Sequence, residues 1–177
     1  VQYAHDKGVV IVAAAGNDGN SNPVYPAAYP GVISVGATRF DGQTTYYSNY
    51  GPTLSVVAPG GDPNVDQNND GFPDEILQQT FSPDHPGQFG YYFKAGTSQA
   101  APHVTGIAAL VLAIHPDFTP DQVQQVIEQT ATDLGPPGRD DHYGYGLVNA
   151  AAADNYVPSI SIMSPAGVLN SLDDSQY

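Results

Sequence analysis

Val9-Val-Ile-Val-Ala-Ala-Ala15 is an uninterrupted apolar run that stops at Gly16-Asn-Asp-Gly-Asn-Ser-Asn-Pro23. A short run without polar alternation suits a strand buried on both faces of a parallel sheet. The Gly/Asn-rich loop then lies at that strand's C-terminal end, where open α/β sheets place their ligands. Val32-Ile-Ser-Val-Gly-Ala37 and Leu54-Ser-Val-Val-Ala58, the latter ending at Pro59-Gly-Gly61, are the next strand candidates. Ala100 to Ile114 is apolar nearly all round and rich in small residues, as a helix buried against a sheet would be. The pattern predicts an α/β fold with a mostly parallel central sheet.

Val1 to Lys7 reads as the end of a helix, with Gly8 at the position of a left-handed cap. Domains seldom begin inside a helix that feeds a central strand, so the expectation is that the N-terminal half of the domain is missing. Thr119-Pro-Asp-Gln122 carries an N-cap Thr, Pro at the first helical position and Gln at the third, and it opens an amphipathic helix ending near Gly135. Leu147 to Tyr156 is the last helix candidate. Asp62 to Gly90, dominated by Asp, Asn, Gln, Pro and Gly, is an excursion from the sheet. Residues 1–156 form one unit on this reading. In 157–177 a Ser-Ile-Ser-Ile alternation marks a linker or the truncated start of a following β domain.

Four Lys+Arg against eighteen Asp+Glu give a formal net charge of -14, which repels nucleic acid and anionic membrane and favours cations. No uninterrupted apolar run approaches the roughly 18 residues of a membrane span. There is no cysteine, so disulfides and thiolate chemistry are excluded.

The richest segment is Gly96-Thr-Ser-Gln-Ala-Ala-Pro-His-Val-Thr-Gly106. A Ser opening a buried helix holds its hydroxyl at the positive end of the macrodipole. Its own N–H, one of the first helical amides, lacks an intrahelical partner and is free to bind an oxyanion. Pro102 removes a donor that the first turn scarcely uses. Most Ser residues at helix starts are merely caps, and helix position alone does not make Ser98 a nucleophile.

The whole segment resembles the nucleophile motif of the subtilisin-like peptidases, departing mainly at Gln99, where Met is usual. Val10-Ile-Val-Ala-Ala-Ala-Gly-Asn17 resembles the strand that leads to that family's oxyanion-hole Asn. Tyr25-Pro-Ala-Ala-Tyr-Pro-Gly-Val-Ile-Ser-Val-Gly-Ala37, Val57-Ala-Pro-Gly60 and Tyr143-Gly-Tyr-Gly-Leu-Val-Asn-Ala-Ala151 are similar to further family motifs in the same order. The resemblance implies a three-layer sandwich and a secreted serine endopeptidase acting on peptide or protein substrates. It casts Ser98 as nucleophile and Asn17 as oxyanion donor. Ala14, Gly16 and the backbone of Gly96 and Thr97 would line the primary specificity pocket, which Val24 would narrow.

A subtilisin-like triad runs Asp, His, Ser, with both partners well upstream of the oxyanion Asn. No Asp-Ser/Thr-Gly signature is present, and the one His-Val-Thr-Gly string begins at His103, about 140° round a helix from Ser98. His103 is expected to be a packed helix histidine, and His5, His85, His115 and His142 to be solvated. The chain alone is therefore expected to be inactive. Two other readings compete. A Ser esterase of the α/β-hydrolase class lacks its Gly-x-Ser-x-Gly here. A catalytically dead protease-like domain would only bind calcium or a partner.

Asp66-Gln-Asn-Asn-Asp-Gly-Phe-Pro-Asp74 sets oxygen side chains at relative positions 1, 3, 5 and 9 with Gly at 6, the spacing of a calcium loop. Asp66, Asn68, Asp70, the Phe72 carbonyl and Asp74 are the expected ligands of a structural calcium. Leu77 stands where an EF-hand has its bidentate Glu, and Asp74, Glu75 or Asp62 would fill the gap. By the family resemblance, Thr53 and Ser55 replace the carboxylates of a second, weaker cation site.

Overall fold

A computed structural model describes residues 1–82 and 85–158, together with a two-residue antiparallel ladder, Met163–Ser164 against Gly167–Val168. The remaining residues of the 157–177 segment lie outside the described residues. The elements run α1 (Gln2–His5), β1 (Ile11–Ala14), β2 (Val32–Thr38), β3 (Val56–Pro59), β4 (Ile76–Ser82), β5 (His85–Lys94), α2 (Thr97–Ile114), α3 (Pro120–Thr130) and α4 (Ala150–Asp154).

Three parallel strands in the order β1-β2-β3 form the sheet, with Ala14 opposite Val35 and Val35 opposite Val56. β2 is buried at every position because it is the central strand. β1 is only half-buried throughout, which corrects the expectation of a strand covered on both faces: it stands at the edge. Side chains alternate across the sheet as its pleat requires. Ile33, Val35, Ala37, Val56 and Ala58 face a core shared with Val104, Val111, Val123, Val126 and Ile127 from the helices. Ala15, Leu54 and Val57 face the other way, against Tyr143 and Leu147.

α2 lies across all three strands, and α3 and α4 pack on α2. Its sequence promised burial nearly all round, yet it buries one side, while Leu110 and Ile114 are 45% and 44% exposed. In length (18 residues) and mean hydropathy (1.3) α2 meets the measure of a membrane-crossing helix, which the uninterrupted apolar runs do not, but it packs as a core helix does. α3 begins at the expected capping box: Gln122 N–H donates to Thr119 Oγ1 (3.3 Å) and Thr119 N–H donates to Gln122 Oε1 (2.9 Å). The last helix is shorter than expected, because Leu147 bridges to both Val57 and Thr132 in extended conformation and Asn149 caps α4. The excursion after β3 contains a regular antiparallel ribbon, β4–β5, that composition concealed.

Candidate functional site

The C-terminal edge of the sheet brings together the loop after β1 and the start of α2. Asn17 and Ser98 are both exposed there, whereas Thr97 between them is fully buried. Thr97 N–H donates to Asn17 Oδ1 at 2.9 Å, and Thr97 Oγ1–H donates to the same oxygen at 2.9 Å. Gly16 N–H in turn donates to Thr97 Oγ1 (3.3 Å). With Oδ1 committed twice, the Asn17 amide has its orientation set, and its Nδ2 donates to nothing among the described residues.

The helix begins at Thr97, three residues earlier than its apolar run suggests, so Ser98 occupies the second helical position. Ser98 N–H has no partner among the described residues, while Gln99 N–H turns back to the Gly96 carbonyl (3.0 Å). Pro102 consequently lies beyond the first turn. Its missing N–H leaves the Ser98 carbonyl without the usual donor four residues on. Gly96, with φ 151°, could accept a Cβ only 3.0 Å from Gln99 Oε1. Its N–H donates to the Gly60 carbonyl (2.9 Å), which also accepts from the buried Tyr47 hydroxyl (3.0 Å). Burial pushes the Tyr47 phenol up to about 12.

Gly16, at φ 114°, sits where a Cβ would meet Asn49 Nδ2 at 2.4 Å and Val24 Cγ2 at 3.0 Å. Val24 therefore closes on Gly16, next to Ala14 at the end of β1. Asn49, 3% exposed, accepts from Asp18 N–H (2.8 Å) and donates its own N–H to the Gly16 carbonyl (3.0 Å). It holds the Asn17 loop from beneath. Nothing in its Ser-Asn-Tyr-Gly context marks it, because its role depends on a contact across the sheet edge.

Among the described residues no histidine is hydrogen-bonded to Ser98. His103 Nδ1 pairs with the Gln99 carbonyl (2.9 Å) and the residue is exposed, not packed as expected, since it lies on the open side of α2. His5 is not simply solvated: its Nε2 lies 3.0 Å from Asp121 Oδ1. His5 precedes β1 and also abuts Gly31 just before β2, while Asp121 lies in the first turn of α3, so the pair stands at the N-terminal end of the strands, opposite the end that carries Asn17 and Ser98. His115 stacks on Phe118 and His142 on Tyr50.

In the acidic loop Asp66 accepts from Asp70 N–H (3.2 Å) and Gly71 N–H (3.0 Å), Asn68 Oδ1 accepts from Asp70 N–H (3.0 Å), and Asp70 accepts from Phe72 N–H (2.9 Å). Asp74 accepts from Gln67 N–H (2.6 Å). Asp62 is buried and turned onto Asn64 instead (3.0 Å). No cluster of three or more His, Cys, Asp or Glu is assembled to hold a metal among the described residues.

Residues 1–146 match the model of the subtilase family, the peptidase S8 group. The chain belongs to the subtilase family. This subtilase is 39% identical over 153 residues to the thermostable alkaline protease of Halalkalibacterium halodurans, covering 86% of the chain and 36% of that protein. It is 40% identical over 157 residues to subtilisin E of Bacillus subtilis, covering 86% and 35%. Among solved structures a lanthipeptide protease superposes with TM-score 0.74 at 33% identity, over 86% of this chain and 53% of that one. A protease of Pseudoalteromonas arctica superposes with TM-score 0.75 at 35% identity, over 86% and 44%. The subtilase chain thus spans between 35% and 53% of these relatives' length.

Proposed function

We propose that this subtilase chain carries the nucleophile and the oxyanion hole of a secreted serine endopeptidase, with Ser98 Oγ attacking the scissile carbonyl. The observation that carries the reading is the double commitment of Asn17 Oδ1 to Thr97, the residue before Ser98, which leaves free, among the described residues, both the Asn17 amide donors and the Ser98 N–H. Two such donors, fixed before substrate arrives, stabilise the oxyanion of a tetrahedral intermediate without reorganising. The collapsing intermediate expels the amine and leaves an acyl group on Ser98 Oγ. Ala14, Gly16, Val24 and the Gly96–Thr97 backbone form the wall against which the substrate side chain before the scissile bond rests.

The base that takes the Ser98 proton, and the acid that orients it, come from a part of the domain outside these residues. The exposed side of α2 and the half-buried edge strand β1 are the surfaces on which that part packs. In the parent enzyme casein hydrolysis should be abolished by Ser98→Ala. The 177-residue chain alone should show none. Hydrolysis that survives Ser98→Ala, or turnover by the isolated chain, would overturn the assignment.

The loop from Asp66 to Asp74 is proposed to bind one structural calcium through Asp66, Asn68, Asp70, the Phe72 carbonyl and Asp74. The supporting observation is that Asp66, Asn68 and Asp70 already turn their oxygens into the loop, onto its N–H groups. Bound only by the folded loop, the ion would add about 3 kcal/mol when free calcium is roughly 100 times Kd. Calorimetry should detect a calcium site that Asp70→Ala weakens, with magnesium a poor substitute. An unchanged titration in Asp70→Ala would remove the site.

A further inference from the structure

The β4–β5 ribbon departs from the sheet and has one face that nothing covers among the described residues. Its register sets Leu77 opposite Phe93, Gln79 opposite Tyr91 and Phe81 opposite Phe89. Because side chains alternate along a strand, these residues share one side of the ribbon. Phe81 and Phe89 meet edge to face (6.0 Å), and Phe72 from the acidic loop stacks on Phe93 (5.8 Å), so the face continues past the ribbon's base. Phe89 and Tyr91 are 73% and 74% exposed. An aromatic-rich surface of this kind, interrupted on the ribbon only by Gln79, marks an interaction site, whereas scattered apolar residues need no explanation.

We infer that this face is a docking surface for the unfolded polypeptide substrate, engaging it beyond the residues that flank the scissile bond. The inference rests on the endopeptidase reading of Ser98. Two observations select the occupant. The first is continuity: only Ala95, Gly96 and Thr97 separate the end of β5 from Ser98, and Gly96 is tied to Gly60 by a 2.9 Å bond. The ribbon is therefore held at a fixed offset from the nucleophile, and a chain held at Ser98 is delivered to it. At about 3.3 Å per residue, the seven residues of β4 give the face a reach of roughly 23 Å, enough for an extended segment to lie along it.

The second observation is charge. The face itself has no charged side chain among the described residues, but it sits on a chain of net charge -14, and the cavity of about 260 Å³ that Phe93 shares is lined by Asp70, Asp74 and Glu75 against the single cation Arg39. Two copies of such a chain repel one another. An unfolded polypeptide that offers apolar side chains interspersed with Lys or Arg is attracted.

The test uses the full chain with Ser98→Ala and, as probe, fluorescein-labelled lysozyme that has been reduced and alkylated, a basic unfolded polypeptide. Anisotropy should show binding that weakens about tenfold in Phe89→Ser/Tyr91→Ser, since buried aromatic side chains dominate such contacts. Both positions are largely exposed, so the melting temperature should not change. Gln79→Lys, which puts a charge in the middle of the face, should weaken binding as well. Undetectable binding by the unsubstituted face, or an affinity that neither variant alters, would overturn the inference. So would a dimer in sedimentation velocity that the same substitutions dissociate, because the face would then be covered by a second copy. None of these readouts needs catalysis, so failure of the endopeptidase reading shows separately, as persistence of parent-enzyme hydrolysis after Ser98→Ala.

Discussion

Thr97 reaches Asn17 twice, its N–H and its hydroxyl each 2.9 Å from the same Oδ1, and so turns a loop asparagine into an oriented pair of amide donors. A free Asn amide would spend part of its time flipped, with its oxygen toward any developing oxyanion.

Asn17→Ala in the parent enzyme should lower kcat far more than it changes KM, because an oxyanion exists only on the way to the tetrahedral intermediate. The scale carried over from subtilisin, where loss of one oxyanion-hole donor is documented, is about 100- to 1000-fold. Steady-state kinetics on a short peptide substrate measures it. An effect confined to KM would assign Asn17 to ground-state binding.

Thr97→Val keeps the backbone bond to Asn17 but removes the hydroxyl that links Gly16 N–H to Asn17 Oδ1. A fall in kcat of about tenfold is expected, on the scale of one hydrogen bond lost at a buried site. Thr97→Ser should restore most of it. Full activity in Thr97→Val with a loss in Thr97→Ser would mean that the methyl group, and not the hydroxyl, matters.

Tyr47→Phe should destabilise the turn before Ser98 by about 1–3 kcal/mol, since the Gly60 and Gly61 carbonyls both accept from its hydroxyl and are left short. Its folded pKa is raised, so its contribution is complete below the ordinary tyrosine value and is lost as pH rises toward about 12. Melting curves at rising alkaline pH should show the stability gap between wild type and Tyr47→Phe closing across that window.

Glu128, half-buried on α3, has its carboxyl raised above the usual range, first by burial, against the opposing effects of Gln124 and Arg139. A raised carboxyl binds its proton more tightly in the folded state, so ionisation costs stability at neutral pH and the cost disappears below the ordinary carboxylate range. Glu128→Gln should raise the melting temperature at pH 7, and the gain should vanish in acid. A loss at neutral pH would show that the carboxylate is stabilising there.

The strands and helices were legible where one residue's neighbours in sequence decide its state. The capping box of α3 is local, and it formed at Thr119 and Gln122 as written. The β4–β5 ribbon was not legible, because its pairing joins Ile76 to Lys94 through a segment whose Gln, Gly and Pro content mimics a loop. Nor were the limits of burial on β1 and α2, which depend on what packs beside them and not on their own composition. Asn17 and Ser98 stood out through long motifs. Asn49, Tyr47 and the Thr97 hydroxyl did not, since each acts through a partner distant in sequence and is an ordinary polar residue by itself.

Treating the parent enzyme with a fluorophosphonate and mapping the adduct by mass spectrometry tests the nucleophile most directly, because the reagent phosphonylates only an activated serine. The account predicts one adduct, on Ser98, absent from Ser98→Ala and much slower to form in Asn17→Ala. Labelling that persists unchanged in Ser98→Ala, or an adduct mapped to any other serine, would contradict it.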